Sequence, residues 1–190
     1  MYPKAVVIGS GPGSEPLSLE EAKAQLRIED IFTVEDALIG SLITTGRQQV
    51  ENYCEISLIE TTWKAYYDTF PEVIELPKGK VLSLVEIKYF DEDNQETILP
   101  ASAIDQDLNS RPALLRAVDS WPATYERMNA VEVTFTAGFG ANASDIPEAI
   151  KQAIKLFVGA GYAHREDKRA ANLLPRASEL LIMPYRQMRF

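Results

Sequence analysis

Apolar residues recur every three or four positions in two stretches of this chain that lie far apart, and every second position in between. The first stripe runs Leu38, Ile39, Leu42, Ile43, Gly46, Val50 and Tyr53. The second runs Ile146, Ala149, Ile150, Ala153, Ile154, Phe157, Val158 and Tyr162. Both have the spacing of a helix with one buried face. Val131-Glu132-Val133-Thr134-Phe135-Thr136 alternates instead, as a half-buried strand does.

Start and stop signals bound these elements. Ser18-Leu19-Glu20-Glu21 reads as a capping box, with Ser18 at the cap and Glu21 reaching back. It predicts a short helix to about Arg27, with Leu19, Ala22 and Leu26 on one face. Thr33-Val34-Glu35-Asp36 opens the helix that ends near Tyr53. Ser144 or Asp145 caps a third helix with Pro147 in its first turn, ending near Arg165. A last helix covers Arg176 to Met183, and Pro184 stops it.

Between the helices the chain turns β-branched and aromatic: Thr61, Thr62, Trp63, Tyr66, Tyr67, Thr69, Phe70. Val73 to Leu76, Leu84 to Phe90, Thr97 to Leu99, Ala103 to Asp107 and Ala113 to Ala117 are further strands. Asp91 to Gln95 reads as a hairpin turn, although it holds no glycine.

The fold class predicted is α+β. Residues 18–57 and 144–183 form one helical domain, a bundle of the N- and C-terminal helices, because each apolar face needs a partner. Residues 58–143 form a β-rich insert, a small sandwich or barrel-like unit. Residues 1–17, broken by Gly9, Gly11, Pro12, Gly13 and Pro16, form an extended arm. Residues 184–190 form a basic, aromatic tail.

Composition narrows the function. At 190 residues, 46 % hydrophobic and 25 % charged, the chain buries a core without a metal or disulfide staple. Cys54 has no second cysteine to pair with, and reads as a small buried residue on a helix. No stretch approaches the ~20 apolar residues of a membrane span. The run Ala5 to Ile8 is too short for a signal peptide. The net charge of −9 is uneven: residues 1–143 carry −12 and residues 144–190 carry +3. An acidic body with a basic end argues against a dedicated nucleic-acid binder.

The candidate chemistry is thin. Gly9-Ser10-Gly11-Pro12-Gly13-Ser14 resembles a dinucleotide loop, but Ser14 stands at the third glycine position. A helix must also begin inside such a loop to face a pyrophosphate, and the helix signal comes only at Ser18. His164 beside Glu166 and Asp167 suggests a base with an orienting acid, but no nucleophile accompanies them. Asp91-Glu92-Asp93-Asn94 lacks the calcium-loop spacing. No enzyme activity, cofactor or metal is expected. Gly159 and Gly161, costly inside a helix, predict the close approach of another backbone. Lys151, Lys155, Arg165, Lys168, Arg169 and Arg176 form a basic set, read either as a solvated face or as a surface near DNA phosphates.

Read in order, these pieces resemble one family, the head–tail connector proteins of tailed bacteriophages, also called adaptor or head-completion proteins. Glu15-Pro16-Leu17 through Ile28 resembles the family's first helix. Glu35-Asp36-Ala37-Leu38-Ile39 with Ile43, Arg47 and Val50 resembles its second. Pro147 to Ile154 and Tyr162-Ala163-His164-Arg165-Glu166 resemble its third. Trp63, Phe70-Pro71, Ile74 to Pro77, Tyr89-Phe90-Asp91, Trp121-Pro122 and Thr136 to Gly140 are similar to the longer branch, which carries a β insert.

The resemblance covers roughly residues 15–170. It implies a structural virion protein, made in the bacterial cytoplasm, that forms a ring of roughly twelve subunits. That ring would dock beneath the portal protein, extend the channel for genomic DNA without reading its sequence, and receive the next connector, stopper or tail protein. The helical domain would form the ring. Tyr185, Arg186, Met188, Arg189 and Phe190 would dock on the portal. The basic set would line the channel or face DNA. The rival reading is a small DNA-packaging accessory, or nucleic-acid-binding module, acting through the basic C-terminal region.

Overall fold

The computed structural model describes residues 3–165 and 174–187. The chain is α+β, with two antiparallel sheets and, among the described residues, helices α1 (Leu19–Leu26), α2 (Asp36–Cys54), α3 (Glu148–Ala163) and α4 (Arg176–Ile182). It divides into two compact units. The helices belong to Gly13–Ile59 with Gly140–Phe190, and the strands to Met1–Pro12 with Glu60–Phe139.

In the helical unit, α1 starts where the sequence signals it. The Glu21 amide donates to the Ser18 hydroxyl at 3.1 Å, and the Ser18 amide donates to the Glu21 carboxylate at 3.0 Å. The third helix starts later than expected. Ala143–Asp145 is a 3-10 turn, in which the Asp145 carboxylate accepts from the Asn142 amide at 3.0 Å. Ile146 is extended, at φ −83 and ψ 130. A residue before proline is steered out of the helical region, so α3 begins only after Pro147.

The stripes of α2 and α3 are buried as their spacing predicts. Ile39, Ile43 and Val50 on α2, with Ile150, Ile154, Phe157 and Val158 on α3, are almost fully enclosed. Burial of each such side chain stabilises the fold by about 1.5–3 kcal/mol. The helices come closest at Gly46, where a Cβ would lie 2.9 Å from Phe157 Cδ1 and 3.2 Å from Ile154 Cγ2. The expectation for α3 is met in a different form. Gly161 faces the Leu42 side chain, not a backbone, and Gly159 has no atom within 4 Å of its missing Cβ. On the other flank of α3, the Ser178 hydroxyl of α4 donates to the Ala153 carbonyl at 2.9 Å.

The strand unit holds β1 (Ala5–Ser10), β2 (Thr61–Tyr67), β3 (Ile74–Leu76), β4 (Val81–Phe90), β5 (Glu96–Ile98), β6 (Ile104–Asp107), β7 (Ala113–Ala117) and β8 (Val131–Ala137). One sheet has the order β1-β2-β8-β4-β5 and the other β3-β7-β6. Their inward faces share one apolar cluster, with Ala65, Tyr67, Ile87, Val133 and Phe135 from the first sheet and Ile74, Leu76, Ala113 and Leu115 from the second. β8, the alternating strand, lies between β2 and β4.

Three details depart from the pattern-based reading. The opening residues are extended, yet they are an edge strand: β1 pairs with β2 from Ala5↔Tyr66 to Ser10↔Thr62, with a register shift at Gly9. β4 starts at Val81, three residues earlier than its apolar run suggests, and two register shifts along β8 push Leu82 and Val85 outward. The glycine-free turn closes because Asn94 adopts φ 59. The Asp91 carboxylate accepts from the Asp93 and Gln95 amides at 3.1 and 2.9 Å. Asparagine tolerates the left-handed region better than most residues, so no glycine is needed.

The two interior glycines of the helical unit give opposite expectations. Gly46→Ala should cost roughly 1 kcal/mol net, because overpacking against the Phe157 ring outweighs the gain in helix propensity. Gly159→Ala should be neutral or stabilising by up to about 1 kcal/mol. Urea denaturation of both variants checks the pair, and a destabilised Gly159→Ala would contradict the geometry.

Candidate interaction surfaces

The residues that carried the family resemblance turn out to be partners of one another. Glu15 accepts from the Thr44 hydroxyl at 2.9 Å and from Arg47 Nε at 2.8 Å. Arg47, buried on α2, also reaches Glu51 at 2.7 Å, and Glu51 accepts from the Leu58 amide at 3.0 Å. This chain of charged bonds ties the segment before α1, the middle of α2 and the segment after it. A buried guanidinium flanked by two carboxylates is strongly destabilised by loss of either partner.

A second set joins α2 to the end of α3. Glu35, just before α2, accepts a hydrogen bond from the Tyr162 hydroxyl and another from Arg165 Nη1 at 2.7 Å. The Arg165 guanidinium lies 5.2 Å from the Tyr162 ring centroid. The Tyr162 and Arg165 bonds hold the Glu35 carboxyl below its usual range and raise the Tyr162 phenol. Sequence spacing places Glu35 and the Tyr162–Arg165 motif on separate helices and gives no sign that they meet. The available signal was indirect, an acid at one helix start and an aromatic–arginine pair at another helix end.

The described members of the basic set are each matched to an acid. Lys151, largely buried, lies 3.2 Å from Glu148, and Lys155 lies 3.7 Å from Glu21. Arg165 takes Glu35, and Arg176 takes Glu179 at 2.9 Å. The Glu21 carboxyl is lowered first by the amide hydrogen bond from Ser18 and then by Lys155 and Lys151. Lys168 and Arg169 lie outside the described residues. These four cations therefore present a compensated face rather than an open positive one.

The start of the tail packs on α2. Tyr185 closes a 3-10 turn, Met183–Tyr185. Arg186 sits 5.3 Å from the Tyr53 ring centroid, and the buried Gln187 donates its amide to the Cys54 carbonyl at 2.9 Å. The Cys54 thiol donates to the Ile182 carbonyl at 3.6 Å, and burial pushes it up to about 11, against the opposing charge of Arg186. Cys54 is thus an inert packing residue. Met188, Arg189 and Phe190 lie outside the described residues.

The chemical decoys separate in space. Gly9 belongs to the β1 register shift, while Ser14 donates its hydroxyl to the Ala141 carbonyl at 3.3 Å within the helical unit. The nearest helix start is Leu19. His164 ends α3, its amide donating to the Ala160 carbonyl at 3.0 Å; Glu166 and Asp167 lie outside the described residues. Among the described residues, no group of three or more His, Cys, Asp or Glu is placed to hold a metal ion. No helix there is long and apolar enough to cross a membrane.

An α+β chain whose charged side chains join its own elements is built as a structural part. The model of the phage gp6-like head-tail connector protein family matches residues 16–119, more than half of the chain, and the chain belongs to that family. It is a structural connector-family protein and not an enzyme. No curated protein matches it at the sequence level.

Three solved structures share its fold. A chain from the neck of an empty gene transfer agent (GTA) particle, computed with C6 symmetry, superposes at TM-score 0.83 and 22 % identity, covering 98 % of this chain and 97 % of that one. A chain from the virion of a native GTA particle gives 0.80 and 23 %, with 97 % and 96 % covered. A chain from the neck of a native GTA particle, computed with C12 symmetry, gives 0.70 and 22 %, with 97 % of both covered.

The Glu35 cluster has a pH signature. Its carboxyl is lowered in the folded chain, so its contribution is present above the unfolded value near 4.3 and is lost as pH falls through the folded value. The stability difference between wild type and Glu35→Gln should therefore be largest near pH 6 and shrink toward pH 3. Denaturation curves at both pH values check it, and a difference independent of pH would show that the ionised carboxylate contributes nothing.

Proposed function

We propose that this chain is a head–tail connector subunit of a phage or phage-like particle. It forms a ring, of about twelve copies, at the portal vertex. The ring docks beneath the portal, continues the channel through which genomic DNA passes without sequence readout, and receives the next connector, stopper or tail protein. The chain is made in the bacterial cytoplasm and works in the virion. The helical unit, with its N- and C-terminal helices as a bundle, builds the ring wall.

One observation carries this reading: the family match and an end-to-end likeness to a particle-neck chain fall on the same residues. The C6 and C12 symmetries of the neighbouring necks support a ring. The DNA-packaging alternative draws nothing from Lys151, Lys155, Arg165 and Arg176, each of which already faces a carboxylate.

The central test is electron microscopy of the purified chain, alone and after mixing with the portal protein of its particle. Rings are expected in at least the second sample. Persistent failure to form them in both would count heavily against the proposal.

The tail is proposed to dock on the portal. Because Tyr185, Arg186 and Gln187 also pack against α2, removing all of 185–190 would disturb the fold. Truncation after Gln187 is the cleaner test. It should leave the melting temperature unchanged and weaken portal binding about tenfold or more. Undiminished binding would assign docking elsewhere.

A further inference from the structure

The helical unit exposes apolar side chains at two places. One is the α1–α2 loop, where Ile31 is 80 % exposed, Phe32 60 % and Val34 93 %. The other is α4, where Leu180 is 56 % and Met183 61 % exposed. Arg176, Leu180 and Met183 follow one another by four and three residues, so they line one face of that helix. Side chains this large, grouped and solvated, mark contact surfaces.

The two places differ in charge. Residues 29–36 hold Glu29, Asp30, Glu35 and Asp36 and no cation. Glu35 and Asp36 are taken by Arg165 and Lys23. Glu29 and Asp30 have no side-chain ion pair among the described residues. Residues 174–187 hold Arg176 and Arg186 against Glu179.

They also sit at opposite ends of α2. The loop leads directly into Asp36. The end of α4 lies at Cys54, through the Ile182 carbonyl and the Gln187 amide. A helix of 19 residues spans about 28 Å, so the two patches cannot cover each other within one copy.

We infer that the acidic-apolar loop at residues 29–34 of one copy docks on the basic-apolar face of α4, Arg176-Leu180-Met183, of the next. The inference rests on the connector reading and specifies its ring contact. Two different, complementary patches make a heterologous contact, the kind that propagates head to tail and closes into a ring. Ile31, Phe32 and Val34 supply the apolar contact with Leu180 and Met183. Asp30 and Arg176 set its polarity.

The test is a cysteine pair, Phe32→Cys with Leu180→Cys, studied under whichever condition gives wild-type rings. Oxidation should yield a ladder of covalent multimers, whereas each single variant should stop at dimers. Arg176→Glu should lower ring yield by about tenfold or more, and adding Asp30→Lys should restore it. All these sites are exposed, so melting temperatures should match wild type. Wild-type rings without a ladder, and unaffected by the charge changes, would overturn this contact and leave the connector reading standing. Absence of wild-type rings, alone and with portal, would overturn both.

Discussion

Two apolar helix faces that no neighbouring segment can cover must find each other across the whole β-rich middle of the chain. That constraint organises the helical unit. α2 ends at Cys54 and α3 begins at Glu148, yet Gly46 admits Phe157 and Ile154 to van der Waals contact. Once these helices are in place, the polar bonds follow at their ends. Glu35 reaches Tyr162 and Arg165, while Arg47 gathers Glu15 and Glu51. α4 then finds its seat along α3 through Ser178.

The charged groups follow a consistent logic. A chain that is acidic overall uses its cations inside its own structure, and the described members of the basic set all follow that rule. What remains outward is mostly apolar or acidic. Surfaces of that kind suit protein partners better than a polyanion. This matches a part whose contacts are with other subunits.

Much of this was legible in the chain itself. Periods of three to four and of two located α2, α3 and β8, because burial on one face dictates them. The capping box placed α1 to the residue. The start of α3 was missed by a few residues, since the effect of Pro147 on Ile146 outweighed the cap signal. The pairing of β1 was hidden because its partner lies some fifty residues on and no turn announces it. The Glu35–Tyr162–Arg165 cluster was invisible for the same reason: spacing describes one helix at a time.

The edge position of β1 has a consequence for synthesis. β1 leaves the ribosome first, but β2, which it must join, follows only after α1 and α2. α2 in turn stays half-naked until α3 has emerged from the far side of the strands. Neither unit closes from local contacts, so folding is slow relative to chain length and late relative to translation. During that interval the apolar stripe of α2 is open to the wrong neighbour, and crowded nascent copies of a ring-forming protein are each other's nearest neighbours.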